Sequence, residues 1–253
     1  MGHFIEFIDV HKSFGDRKVL AGVSFFVDRG ETFAILGPSG IGKTVTLTHV
    51  VGLLKPDSGR VIVDGEDITD FTEHQLAAVR KKVQLVFQSG ALFDSLTVRE
   101  NVAFPLADTG LEDEEVNRRV IEKLQLVEIE DLADLYPSEL STGMKRAVAI
   151  ARGLAAEPQA MLYDEPTTMV DPLMSQTINK LIRKMQTQLK LTQMVVTHDI
   201  ATCADKVADR VALIDQGKFA FVGSLDELYA SDHPVVKEFV EEDKVRFATS
   251  YTA

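Results

Sequence analysis

Residues 37–44 read GPSGIGKT, and the spacing of glycines around a lysine and a threonine suits one kind of chemistry. Gly37, Gly40 and Gly42 let backbone amides curl around phosphate oxygens, with Pro38, Ser39 and Ile41 completing the turn. Lys43 then reaches the β- and γ-phosphates, and Thr44 offers a hydroxyl to Mg²⁺. A second group of chemically able residues is MLYDE, 161–165. Asp164, at the tip of an apolar strand, suits the magnesium ion, and Glu165 suits the orientation or deprotonation of an attacking water. His198 ends the apolar run QMVVTH and suits a γ-phosphate contact. Each piece has a plainer reading: a glycine-rich turn, a solvated acidic turn, a structural histidine. Their coincidence in one chain favours phosphate chemistry. The other five histidines show no ligand spacing and are assigned no metal.

A further anion-suited element lies at 139–151, ELSTGMKRAVAIA. It reads as a helix start in which Ser141 caps, Gly143 leaves the first turn bare, and Lys145 and Arg146 follow. One phosphate loop already exists about a hundred residues earlier, so the second anion-binding end needs its own explanation.

The elements that must position these groups follow from periodicity. HFIEFIDV, KVLAGVSFFV, ETFAIL and GRVIVDG read as strands broken by Gly, Asp and Pro turns. A helix EHQLAAVRKK starts at a capping box, Thr72 with Gln75, before strand VQLVF (83–87). Residues 97–156 carry Glu114–Arg118 and Glu115–Arg119 pairs at helical spacing and no convincing strand, which predicts a helical insertion with a solvated charged face. MLYD and QMVVTH are continuous apolar runs, as for parallel strands buried on both faces. Between them Met174, Ile178, Leu181, Ile182, Met185 and Leu189 form the core-facing stripe of a helix. RVALID, KFAFVG and a helix capped by Ser224 with Glu227 follow. The alternation is that of an α/β protein, whose ligands belong at the carboxyl ends of its strands.

Composition narrows the functional classes. The formal net charge of −12 disfavours nonspecific binding to nucleic acid or anionic lipid surfaces. The single Cys203 forbids an internal disulfide and fits a reducing compartment. The start MGHFIEFIDV reads as neither a signal peptide nor, with Glu6 in place of Ser or Thr, a myristoylation site. No run approaches the ~20 apolar residues of a membrane span, so any membrane role is expected to come through a partner.

Taken in order, GPSGIGKT, LSTGM (140–144), MLYDE, TMVD (168–171) and His198 resemble the Walker A, signature, Walker B, D-loop and switch motifs of the nucleotide-binding subunit of ABC transporters. The resemblance covers nearly the whole chain. It implies a P-loop NTPase (RecA-like) core with an antiparallel β subdomain and an inserted α-helical subdomain. The domain expected is 1–232, with 1–88 and 157–232 as core and β subdomain, 89–156 as helical subdomain, and 233–253 as a C-terminal tail. It implies ATP and Mg²⁺ as cofactors and a homodimer packed head to tail. In that dimer Ser141, Thr142, Gly143 and Met144 of one copy cap the ATP held by the other, which accounts for the second anion-binding helix end. Phe14 matches the aromatic that stacks on adenine, an ordinary strand-end residue being the competing reading. Gln88 matches the Q-loop glutamine that contacts Mg²⁺ or water. Asp171 matches the aspartate that couples the two sites, although it also reads as a simple cap before Pro172.

The signature departs from LSGGQ at Thr142, where glycine allows close backbone approach, and at Met144, which removes an amide. An active but slow ATPase is expected. The segment FQSGALFDSLTVRENVAFPL (87–106) places Leu92, Phe93, Phe104, Pro105 and Leu106 where the family docks an integral-membrane permease, packing within the helical subdomain being the alternative for some of them. That segment, LSTGMKRA and DEPTTMVDP look like the ATPases of MCE-type (Mla-like) lipid transport systems. The implied protein is a motor on the cytoplasmic face of the inner membrane, moving phospholipid or other hydrophobic cargo, with an MCE-domain protein and an accessory subunit as further partners. The alternatives are the ATPase of a polar-solute ABC importer and a soluble non-transport ABC ATPase. The tail, through Val236, Phe239 and Val240, is expected to grip a partner or to pack on its own core.

Overall fold

The computed structural model describes residues 2–107 and 109–250, with the side chains of 249 and 250 left aside. The last three residues of the expected tail therefore lie outside the described residues. Strands β1 (Ile5–Phe14), β2 (Arg17–Val27), β4 (Ser58–Val63) and β5 (Glu66–Asp67) pair antiparallel in the order β2-β1-β4-β5. A second, six-stranded sheet has the order β10-β9-β3-β8-β7-β6. Its members are β3 (Thr32–Leu36), β6 (Val83–Val86), β7 (Ala160–Asp164), β8 (Thr192–Thr197), β9 (Arg210–Asp215) and β10 (Lys218–Gly223). All its pairings are parallel except β9 with β10.

The apolar runs are buried on both faces because successive side chains alternate between two cores. Ala34, Leu36, Met161, Tyr163 and Val195 face one core; Phe33, Ile35, Leu162, Met194 and Val196 face the other. The antiparallel sheet covers the second core together with α1 (Lys43–Val50) and α2 (Glu73–Lys82). The first is covered by α3 (Val98–Ala103), α4 (Asp113–Leu126), α5 (Thr142–Ala155), α6 (Pro172–Leu189), α7 (Asp205–Val207), α8 (Leu225–Ala230) and α9 (Pro234–Ser250). The expected α/β fold is therefore present, with an antiparallel sheet and a strandless helical stretch between β6 and β7. The capping boxes form as read: Thr72 N donates to Gln75 Oε1 at 2.9 Å, and Ser224 N to Glu227 Oε2 at 2.8 Å.

Two local expectations are corrected. Arg118 turns to Glu115 and Glu122 rather than Glu114, because Glu115 accepts from both Arg118 and Arg119. Leu189 leaves the core stripe: α6 ends at Lys190 in a left-handed conformation (φ 56°), and Leu189 lines a surface groove with Leu126 and Leu191. Of the tail, Val236, Phe239 and Val240 are buried in the chain's own core.

Parallel pairing brings the ends of β3, β7 and β8 to one edge, since Leu36 stands opposite Thr197 and Asp164 opposite Val196. The loop 37–42, Glu165 and His198 all leave from that edge.

Candidate active site

The loop leaves β3 in conformations few residues other than glycine adopt, with φ at 153° for Gly37 and 121° for Gly42. A Cβ on Gly42 would also lie 3.2 Å from Val19 O, so this turn is closed to other residues. From β2, Arg17 donates to Gly40 O at 2.6 Å and pins the loop from outside.

Lys43, at the start of α1, is only 5% exposed. A buried ammonium must be paired. Lys43 donates to Gly37 O at 2.7 Å and Pro38 O at 3.1 Å, and its ion pair with Glu165 Oε1 measures 3.1 Å. Glu165, 8% exposed, stands one residue past β7 at φ 48°, its amide donating to Val196 O at 2.9 Å. Its other oxygen meets His198 Nδ1 at 2.9 Å and accepts from Thr168 Oγ1 at 2.9 Å. Burial by itself raises the Glu165 pKa, but the hydrogen bond to His198 and the charge of Lys43 outweigh it and hold the carboxyl down at about 2.

Thr44 Oγ1 donates to both oxygens of Asp164, at 2.9 and 3.0 Å. Burial raises the Asp164 carboxyl, with the Thr44 hydrogen bond opposing and the neighbouring Glu165 charge adding to the rise. A carboxylate that burial disfavours, beside a hydroxyl, is the hard-oxygen pair that suits Mg²⁺, whose shell is completed by water and substrate phosphates. The residues fit that ion.

Phe14, Gln88, Ser39, Gly40, Thr44 and His198 are among the residues lining a cleft of about 390 Å³ beside the loop. Phe14 is 48% exposed at its rim, with Lys12 Nζ 5.7 Å from the ring centroid. Gln88 reaches the same cleft from the end of β6. The structure therefore brings together Phe14, residues 37–44, Gln88, Asp164, Glu165 and His198. The signature residues are not among those lining the cleft. Ser141 caps α5 by accepting from Met144 N at 3.3 Å, Thr142 is exposed, Met144 is half-buried, and Gly143 packs on α6. Asp171 is the cap of α6, accepting from Met174 N at 2.9 Å.

Residue patterns missed what three residues touch; Arg146, read as part of the anion-suited helix start, is turned inward instead. Arg146, 1% exposed, donates from α5 to Phe87 O at 3.1 Å and Asp164 O at 3.3 Å, joining signature helix, Q-loop and β7. Its signal was a cation immediately before the apolar run AVAIA (147–151). Thr168 lay in the D-loop motif without a role of its own, and Arg17 carried no signal, because the partners of both are set by the fold.

Comparison with known proteins agrees with this geometry. The family model described as ABC transporter matches residues 20–168. The chain belongs to the ABC transporter family. As an ABC ATPase it binds ATP with Mg²⁺ and hydrolyses it. It is 42% identical over 229 residues to the methionine import ATP-binding protein MetN of Carboxydothermus hydrogenoformans, spanning 89% of this chain and 68% of that one. With MetN 2 of Pseudomonas entomophila it shares 39% over 246 residues, 95% of this chain and 73% of that one. Among solved structures, cbiO1 of Clostridium perfringens superposes with a TM-score of 0.84 at 30% identity, covering 99% of this chain and all of that one. The dimeric post-hydrolysis state of the cassette MJ0796, bound to ADP and Pi, gives 0.81 at 32% identity, covering 87% and 98%.

Because a Cβ on Gly143 would collide with Met174 Cγ and lie 3.1 Å from Met174 Cβ and Val170 Cγ1, this ABC ATPase tolerates no side chain there. Gly143→Ala is expected to lower ATP hydrolysis ~10-fold or more by displacing the start of α5, a misplacement on the scale that costs enzymes that much. Nucleotide affinity of the single chain, read by fluorescent-nucleotide titration, should stay within about threefold of wild type, since Gly143 does not line the cleft.

Proposed function

We propose that this chain is the motor of an ABC importer for a polar solute, working as a head-to-tail homodimer against an integral-membrane permease. The observation that carries the motor reading is the suspension of Glu165 between Lys43, His198 and Thr168, directly beside the phosphate loop. When ATP enters, the loop amides of 37–42 and the dipole of α1 take the phosphates, and Lys43 exchanges Glu165 for phosphate oxygens. Thr44 and Asp164, with Gln88 in the same cleft, would hold Mg²⁺, which would supply positive charge against the phosphates. Phe14 stacks on adenine. Glu165, released from Lys43, accepts a proton from the attacking water, while His198 faces the γ-phosphate. Ser141, Thr142, Gly143 and Met144 of the second copy complete the site, and Asp171 links the two sites across the dimer.

Support for the homodimer comes from the MJ0796 cassette, whose matching structures are dimeric. The permease reading rests on an exposed pair beyond the Q-loop: Phe93 and Phe104 have ring centroids 4.4 Å apart, and Arg152 holds the Gly90 and Ala91 carbonyls beside them. Leu106, by contrast, is buried in the core and Leu92 packs against it. No helix among the described residues is long and apolar enough to cross a membrane, which fits attachment through such a permease at the cytoplasmic face.

The cargo reading differs from the one the signature suggested. The relatives reported above are methionine import proteins, which favours a polar-solute importer over an MCE-type phospholipid system. The phospholipid reading, with its MCE-domain partner, keeps one observation in its favour: Thr142 and Met144 in the signature.

Glu165→Gln should cut hydrolysis by ~10²–10⁴, the usual cost of losing a general base, while leaving an ATP-stabilised dimer on size-exclusion chromatography. Turnover close to wild type in that variant would sink the role given to Glu165. For cargo, the tagged protein is drawn from its native membranes in mild detergent and its proteins and lipids are identified by mass spectrometry. A permease without an MCE-domain protein supports the importer, whereas an MCE-domain protein with bound phospholipid overturns it in favour of the lipid reading.

A further inference from the structure

We infer that Asp243 and Arg246, on the C-terminal helix α9, are positioning residues for His198. The inference rests on the proposed role of His198 and goes beyond it. One face of α9 presents Val236, Phe239, Val240 and then Asp243, spaced as successive turns require and all buried, Asp243 at 5% exposure. The first three join the core beside Ile200, Cys203 and Ala204. A helix that only packed there would continue the stripe with an apolar residue. A buried carboxylate costs free energy unless it is fully engaged.

Asp243 is engaged by the backbone that follows His198. Its Oδ1 accepts from Ile200 N at 2.9 Å, and its Oδ2 from Ala201 N at 3.1 Å. These two amides open the π-helical turn Ile200–Ala204, whose next free amide, Thr202 N, is taken by Asp199 at 2.8 Å. Turns of this kind are rare and recur at functional sites. One turn further along α9, Arg246 Nη2 donates to the carbonyl of His198 itself at 3.1 Å, and its guanidinium stands 3.8 Å from Asp243. The peptide units on the carboxyl side of His198 are thus held by α9, while the imidazole meets Glu165 at 2.9 Å. Three hydrogen bonds, two to Asp243 and one from Arg246, join α9 directly to the backbone at and just after His198. Losing the bonds of either side chain frees the segment to shift by a fraction of an ångström, which is enough to move an imidazole off its partner.

The test is steady-state and single-turnover ATP hydrolysis by the full chain carrying Asp243→Asn, with and without His198→Ala. Asp243→Asn alone is expected to lower kcat ~10-fold with the KM for ATP within about twofold, because the nucleotide cradle is untouched. In the His198→Ala background the same change should have no further effect, since nothing is left to position. A purely structural role predicts instead an equal loss in both backgrounds, and that result overturns the inference, as does an unchanged kcat in Asp243→Asn. Arg246→Gln, on an exposed side chain, keeps the test available if Asp243→Asn does not fold; it should lose about threefold in kcat, the worth of one hydrogen bond, with Arg246→Lys recovering part of it. His198→Ala at wild-type rate would remove both the histidine's role and its positioning. A deficient His198→Ala with an unaffected Asp243→Asn removes only the positioning.

Discussion

Parallel pairing of β3, β8 and β7 is the constraint on which the site depends. It sends the carboxyl ends of the three strands to one edge, so the loop, Glu165 and His198 meet although 37 and 198 are far apart in the chain. The hydrogen bonds of a parallel sheet need both faces covered, and the chain supplies an antiparallel sheet for one and helices for the other. Only the strand ends escape that cover. Charged groups collect there because the interior has no place for them.

The charges at that edge satisfy one another before any ligand arrives. Lys43 is bound to Glu165 and to the loop's own carbonyls, and Thr44 to Asp164. In the proposed mechanism these are the bonds that ATP and Mg²⁺ replace. Glu165, held down at about 2 beside Lys43 and His198, is a weak base in this arrangement. Moving Lys43 to the phosphates removes one of the charges that weaken it. In the proposed mechanism, binding of ATP and activation of Glu165 as the base are thereby the same movement. The signature helix end of the same chain does not line the cleft, which is why the proposed mechanism takes it from a second copy.

Much of this was legible in the residues. GPSGIGKT, the acids after β7 and His198 each lie within a few residues of a strand end, and strand ends follow from local patterning. Nine of the ten strands, all but the two-residue β5, and the strandless stretch 97–156 follow for the same reason. What escaped were contacts made by chain segments distant in sequence. Arg146 finds Phe87 and Asp164, Arg17 finds Gly40, and Asp243 finds Ile200, all through tertiary packing that periodicity does not encode. Leu189 kept the helical period yet left the core, because a period says where a side chain points and not where the sheet beneath it ends. The cargo was the least legible, since the motifs at this edge point to nucleotide and metal chemistry and none points to what a permease carries.

In the proposed mechanism one chain binds ATP and two chains are needed to hydrolyse it. This requirement is tested most directly by mixing two variants that are each inert alone, Lys43→Ala, which loses the loop, and Ser141→Arg, which blocks the signature. A mixed dimer contains one intact site, built from the loop of one variant and the signature of the other. Equal amounts are expected to recover roughly a quarter of wild-type turnover, because about half of the dimers are mixed and half of their sites are whole. A mixture as inert as its components, or a Ser141→Arg protein that hydrolyses ATP at the wild-type rate by itself, would contradict it.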